Sequence, residues 1–128
     1  MSERSIGEIT PGPDDEAWFA ATARGVLLLR RCDGCGEVHF PPRPICPHCF
    51  SDRTEFLEAS GRGTIYSFSI PRRVPEPYCI AYVTLDEGPT ILSNIIDCPL
   101  DQVAIGQRVR AVFRTSANGH AVPMFTPG

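Results

Sequence analysis

Four cysteines set the strongest constraint on this chain: Cys32-Asp-Gly-Cys35, ten intervening residues, then Cys46-Pro-His-Cys49. A tetrahedral zinc ion takes four soft ligands, and each Cys-x-x-Cys supplies two of them from one tight turn. Gly34 and Gly36 let the first knuckle turn back with its amides free to face thiolate sulfur. Pro47 stiffens the second knuckle, and Pro41, Pro42 and Pro44 stiffen the approach to it. A disulfide framework is the competing reading, because the chain has six cysteines, an even number. The close two-by-two pairing argues against it, as does the lack of a basic start followed by an apolar stretch in residues 1–23. A redox Cys-x-x-Cys would need one pair, not two. The expectation is a structural Zn2+ on Cys32, Cys35, Cys46 and Cys49. His48, inside the second knuckle, is then a solvated bystander, since four thiolates already close the shell. Cys79 and Cys98 lie away from the cluster, and Cys79 sits in an apolar run where a thiol acts as a small hydrophobe.

The rest of the chain reads as strands after one helix. Its 128 residues are 42% hydrophobic and 21% charged, the balance of a globular chain. The longest apolar run, Tyr78 to Val83, is far short of the ~20 residues of a membrane span. Residues 1–13 read as a loose lead-in, followed by a helix from Asp14 to Arg24 with Asp14, Asp15 and Glu16 at its positive end and Gly25 as its stop. Trp18, Ala21 and Thr22 share a face, with Phe19 and Ala23 on an adjoining one. Two large aromatics side by side cannot both face so small a ribbon; one is expected on the body and the other at a partner protein. Val26 to Arg31, Glu37 to Phe40 and Thr54 to Ala59 are three short strands around the knuckles, the layout of a zinc ribbon in which metal replaces a core.

From Ser60-Gly61-Arg62-Gly63 onward the strands lengthen, and Gly61-Arg62-Gly63 is read as a hinge between modules. Thr64 to Ile70 alternates, with Tyr66, Phe68 and Ile70 on one side and Ser67 and Ser69 on the other. Tyr78 to Leu85 is apolar on both faces and suits a central strand. Asp86-Glu87-Gly88-Pro89 is a hairpin turn before Thr90 to Asp97. Arg108 to Arg114 alternates with Val109, Ala111 and Phe113 inward, and Asn118-Gly119 turns the chain into Ala121 to Phe125. Five strands with a longer connection between the third and fourth, from Leu100 to Gly106, read as an OB-type barrel. The expected division is 1–25 lead-in and helix, 26–59 zinc ribbon, and 60–128 OB-fold domain, mostly β throughout.

The stretches LLLRRCDGCGEVHFPPRPICPHC (27–49), SGRGTIYSFSI (60–70), PYCIAYVTLDEGPTILSNIIDC (77–98) and IGQRVRAVF (105–113) resemble a thiolase-associated family. Its members have an N-terminal helix, a rubredoxin-like zinc ribbon and a C-terminal OB fold. The resemblance implies a non-catalytic scaffold or accessory subunit of a thiolase-superfamily assembly: a thiolase, an acyltransferase, or an aldolase that shortens steroid side chains. It implies a thiolase-like or aldolase subunit as partner, with hot-dog-fold hydratases in some assemblies and acyl-CoA at the shared interface. Residue by residue it carries over only Cys32, Cys35, Cys46 and Cys49, as zinc ligands.

Side chains suggest two further surfaces. Trp18 and Phe19 are the kind of aromatic anchors that interfaces favour. Arg72 and Arg73, in the proline-stiffened loop 71–77, are candidates for CoA phosphates, since guanidinium forks match phosphate oxygens; a solvated arginine pair is the plainer reading. The alternative function is single-stranded nucleic-acid binding, which zinc ribbons and OB barrels also serve. Charge opposes it. All twelve cations are arginine; residues 60–128 hold six against five acids, residues 24–59 five against five, and residues 1–23 one against five. A domain-scale positive footprint is missing, so neither nucleic acid nor membrane is expected as a partner. Independent catalysis is not expected either, because His39, His48 and His120 are scattered and form no triad. A cytoplasmic location follows from the same cysteine usage.

Overall fold

The computed structural model describes residues 5–12 and 15–128. Helix α1 is Glu16–Ala23, shorter than expected, and Asp14 lies outside the described residues. Asp15 does not cap α1 by its side chain; its carboxylate instead accepts the Gly12 N–H at 2.7 Å. The C-terminus closes as a Schellman motif: Gly25, at φ 76°, donates to the Thr22 carbonyl and Val26 to that of Ala21. Ala21 and Thr22 are buried and Trp18 partly so, the face that the spacing indicated.

Three strands form the ribbon: β1 (Leu28–Cys32), β2 (Val38–His39) and β3 (Thr54–Glu58), antiparallel in the order β2-β1-β3. Five more close into a barrel: β4 (Arg62–Ser69), β5 (Cys79–Leu85), β6 (Thr90–Ile95), β7 (Arg108–Thr115) and β8 (Ala121–Pro127), in the order β4-β5-β6-β8-β7. Antiparallel pairing of Gly63 with Val109 joins β4 to β7, and a parallel contact of Ile95 with Phe125 joins β6 to β8. The long connection between β6 and β7 carries a 3-10 turn at Leu100–Gln102. This is the five-stranded OB arrangement, with every strand paired on both sides.

One hydrophobic core serves both parts. Leu27 and Leu29, at the start of the ribbon, are fully buried in the same cluster as Ile65, Val83, Val109 and Phe125 of the barrel. Ribbon and barrel therefore meet through packed side chains as well as through the short linker.

Three expectations change on contact with the structure. The lead-in is not loose where it is described. Ala117 donates to the Ile6 carbonyl at 2.9 Å, and the Asn118 amide bonds Ile9 through both its oxygen and its nitrogen, at 3.0 and 2.7 Å. The segment is thus tied to the β7–β8 hairpin by backbone pairing that no side-chain pattern announces. Second, β5 is not apolar on both faces in use: Cys79, Ala81, Val83 and Leu85 point inward, while Tyr82 is exposed. Third, a bulge between Ile65 and Ser67 breaks the β4 alternation: Tyr66 is exposed, Ser67 then pairs with exposed Tyr82 and Phe68 with buried Ala81, so Tyr66 and Phe68 do not share a side.

Of the expected hinge glycines, only Gly61 behaves as one, at φ 79° with its carbonyl bonded to the Ala111 N–H. Gly63 is a buried barrel residue. A Cβ there would stand 2.7 Å from both the Thr84 carbonyl oxygen and Val83 Cγ1, so β4 and β5 approach more closely than any side chain allows. Gly63→Ala should destabilise the protein by about 1–3 kcal/mol in a denaturant titration; an unchanged midpoint would show that the strands part without cost.

Candidate metal centre and flanking surfaces

The two knuckles are built on one plan. Cys32, the last residue of β1, donates its N–H to Glu37, and the turn returns through Gly36 to the Cys32 carbonyl at 2.8 Å. In the second knuckle Cys46 donates to Ser51, and Phe50 returns to the Cys46 carbonyl at 2.9 Å. The first cysteine of each pair also receives an amide on its sulfur: Gly34 N–H reaches Cys32 Sγ at 3.3 Å and His48 N–H reaches Cys46 Sγ at 3.4 Å. A bond from the Asp33 N–H to the Arg53 carbonyl ties one knuckle to the segment leaving the other.

These turns bring the four sulfurs within 4.8 Å of one another. Cys32 to Cys49 is 3.6 Å and Cys35 to Cys46 is 3.7 Å. A disulfide would need about 2.0 Å, and all six cysteines are free thiols. A tetrahedron with zinc–sulfur bonds of about 2.3 Å has edges of about 3.8 Å, so the spacing and the donor set fit zinc. The inner cysteines of the cage, Cys32 and Cys46, are fully buried, and Cys35 and Cys49 face outward.

The thiols compete for negative charge. The Cys35 backbone amide leads in holding Cys32 down to about 7, against burial. The Glu37 amide works to lower Cys35, yet burial and the sulfurs of Cys46, Cys49 and Cys32 push it up to about 12. For Cys49 the Ser51 amide likewise lowers, but the Cys32 sulfur and burial raise it. The cage thus accepts one thiolate readily and resists the next until a cation balances it. Cys32, Cys35, Cys46 and Cys49 would hold zinc as thiolates and give up their remaining protons on doing so, so the affinity of the site would rise with pH.

His48 is exposed and contributes only its backbone amide, in line with a bystander role. His39 is buried, with Nε2 3.0 Å from the Arg43 carbonyl. Cys79 and Cys98 are buried in the barrel, where burial, helped by Cys98, pushes the Cys79 thiol up to about 11, away from reactivity.

Trp18 and Phe19 do not divide as expected, because both pack within the chain. The Trp18 ring lies 5.5 Å from that of Phe40 in the ribbon, and the Phe19 ring lies 4.8 Å from His120 in the last hairpin. Helix α1 sits between the two modules, which gives each aromatic its own neighbour. Their remaining surface, with Phe40, Pro42, Pro44 and Phe56, lines a groove of about 330 Å³. Arg30 stacks 3.9 Å over the Phe56 ring beside it. Arg72 and Arg73 are exposed in the β4–β5 loop, and the structure brings neither to the metal centre.

One residue escaped sequence reasoning. Phe50 takes the place in the second knuckle that Gly36 takes in the first, and both have positive φ, 63° and 80°. A bulky side chain in the left-handed region is strained. Comparing the two knuckles position by position exposes the substitution. Phe50→Gly should retain one zinc per chain by metal analysis and raise thermal stability by about 0.5–1 kcal/mol. A lowered melting temperature would mean that the exposed ring makes compensating contacts.

The family models agree with these parts. Residues 19–55 match the rubredoxin-like zinc ribbon domain of ChsH2, and residues 57–114 match the C-terminal OB-fold domain of ChsH2. A DUF35 domain-containing scaffold protein of Methanocaldococcus jannaschii is 41% identical over 106 residues, which cover 77% of this chain and 74% of that one. A benzoylsuccinyl-CoA thiolase subunit, BbsA, of Thauera aromatica is 33% identical over 73 residues, 54% of this chain and 51% of that subunit. Among solved structures, a chain of an assembly described as the Ltp2-ChsH2(DUF35) aldolase superposes with a TM-score of 0.81 at 30% identity, covering 94% of this chain and 98% of that chain. With its metal-binding tetrad, its barrel and these relatives in agreement, the chain belongs to the ChsH2/DUF35 family of zinc-ribbon and OB-fold proteins.

Proposed function

We propose that this chain is a non-catalytic accessory subunit of a thiolase-superfamily complex acting on acyl-CoA substrates. The observation that carries the reading is the near-complete match, 94% of this chain against 98% of that one, to a component of an aldolase assembly. Relatives described as a scaffold protein and as a thiolase subunit support it from two further directions. The enzyme partner, a thiolase-like or aldolase subunit, supplies the chemistry, and this chain supplies a rigid surface. The hydratase implied by the resemblance would be a further member of such an assembly.

The chemistry of the side chains supports that division of labour. His39 is committed to the Arg43 carbonyl and His120 lies against Phe19, so two of the three histidines are engaged in packing. Acyl-CoA would meet this chain at the shared interface. Arg72 and Arg73 remain the candidates for its phosphates, and the groove beside Trp18 and Phe19 is one candidate contact with the partner. Among the described residues no helix is long and apolar enough to cross a membrane, and the proposed setting is the cytoplasm.

Co-expression with a thiolase-like protein encoded beside it tests the proposal. The expected outcome is a single complex on gel filtration, with partner turnover that falls when this chain is omitted. Separate migration with unchanged partner activity would refute it. Tight binding of a single-stranded oligonucleotide with a steep salt slope would favour the nucleic-acid reading instead.

A further inference from the structure

The outer wall of the barrel formed by β4, β5 and β6 is unusual in its charge. These strands contain eight, seven and six residues, and the only charged one is Arg62, at the very start of β4. By contrast β7 alone carries Arg108, Arg110 and Arg114. Exposed β surfaces ordinarily carry charges that keep them soluble and unpaired. In place of charge this wall presents Tyr66, Tyr82 and Leu92, which are 69%, 49% and 57% exposed. Tyr82 stands directly opposite Leu92 in the sheet register, and Tyr66, at the bulge between Ile65 and Ser67, is exposed on the adjoining strand.

Three polar side chains flanking this cluster have already formed hydrogen bonds with one another or with the sheet. Thr84 and Thr90 pair through their hydroxyls at 2.9 Å on one side, and Asn94 donates to the Cys79 carbonyl at 3.3 Å on the other. Covering these three side chains would therefore leave those hydrogen bonds intact, which lowers the cost of desolvation on either side of the cluster. Charges begin only at the rim: the Asp86–Arg108 pair, bidentate at 2.8 and 2.9 Å, and the Arg72–Arg73 loop. A neutral, aromatic centre inside a charged rim is the anatomy of a protein interface.

We propose that this wall, anchored by Tyr66, Tyr82 and Leu92, is the seat of an uncharged apolar patch on the enzyme subunit that this chain accompanies. The inference rests on the accessory role proposed above and names the surface that performs it. Charge decides among occupants. OB barrels bind oligonucleotides across this side, but beyond Arg62 at its edge the three strands offer no cation to meet a phosphate. Barrel closure decides the mode, since β4, β5 and β6 are all paired and no strand can be added to them. Size excludes a self-sufficient dimer. Three strands about 4.8 Å apart over about five residues span on the order of 250 Å², whereas a stable interface takes about 800 Å² from each partner. The wall is thus one part of a larger contact made by a different protein.

The test uses the full chain co-expressed with the thiolase-like subunit. Leu92→Glu places a charge at the centre of the wall without touching the core, and Ile105→Glu does the same at an exposed apolar residue elsewhere, 69% exposed. The expected result is a dissociation constant at least thirtyfold weaker for Leu92→Glu and within twofold of wild type for Ile105→Glu. Zinc content and melting temperature report whether each variant folds. Should Leu92→Glu fail that check, Tyr82→Ser is measured in its place, with at least tenfold weakening expected. Wild-type affinity in a folded wall variant overturns the inference while leaving the accessory role intact. A wild-type chain that forms no complex at all overturns the accessory role, and the inference with it. Self-association of the wild-type chain abolished by Leu92→Glu would assign the wall to a second copy and also overturn it.

Discussion

Everything in this molecule depends on how four sulfurs are held within 4.8 Å of one another. The ribbon is too short to bury a core of its own, so its turns are fixed instead by amide–sulfur and backbone bonds aimed at a metal. Once that end is fixed, the other end of β1 is free to act as part of the barrel. Leu27 and Leu29 enter the barrel core, a few residues from a cysteine that belongs to the metal cage. Metal at one end of a five-residue strand and packing at the other join the two modules.

The sequence was legible where chemistry repeats at fixed spacing. The cysteine pairs announced the metal centre, and the alternation of Val109, Ala111 and Phe113 announced β7. It was less legible where one residue changes the phase. A bulge at Tyr66 separates it from Phe68, which alternation places on the same side, and strict alternation cannot anticipate an extra residue. Backbone pairing was invisible too, since Ala117 reaches Ile6 across most of the chain without any side-chain signal. Trp18 and Phe19 were picked out correctly as adjacent aromatics on different faces. Their fates followed from the position of α1 between ribbon and barrel, which only the fold reveals.

Charge ties the structure to its proposed use. An OB barrel that binds nucleic acid needs cations on the wall where this one has tyrosine and leucine. The arginines lie elsewhere, and two of them are spent on Asp86 and Asp97. What remains is a small, metal-braced body with neutral apolar surfaces, a form suited to standing between other proteins. The family's scaffold and subunit descriptions follow the same logic, because a docking surface is useful only if it keeps its shape when alone.

Rigidity of that kind is the central claim, and scanning calorimetry of the zinc-loaded protein beside the same protein stripped of metal tests it most directly. The account predicts one cooperative transition with metal bound, its calorimetric and van't Hoff enthalpies equal. Stripping the metal should lower the transition temperature of the whole molecule, barrel included. A barrel transition that stays where it was after zinc is removed would contradict it, showing ribbon and barrel to be independent units that merely touch.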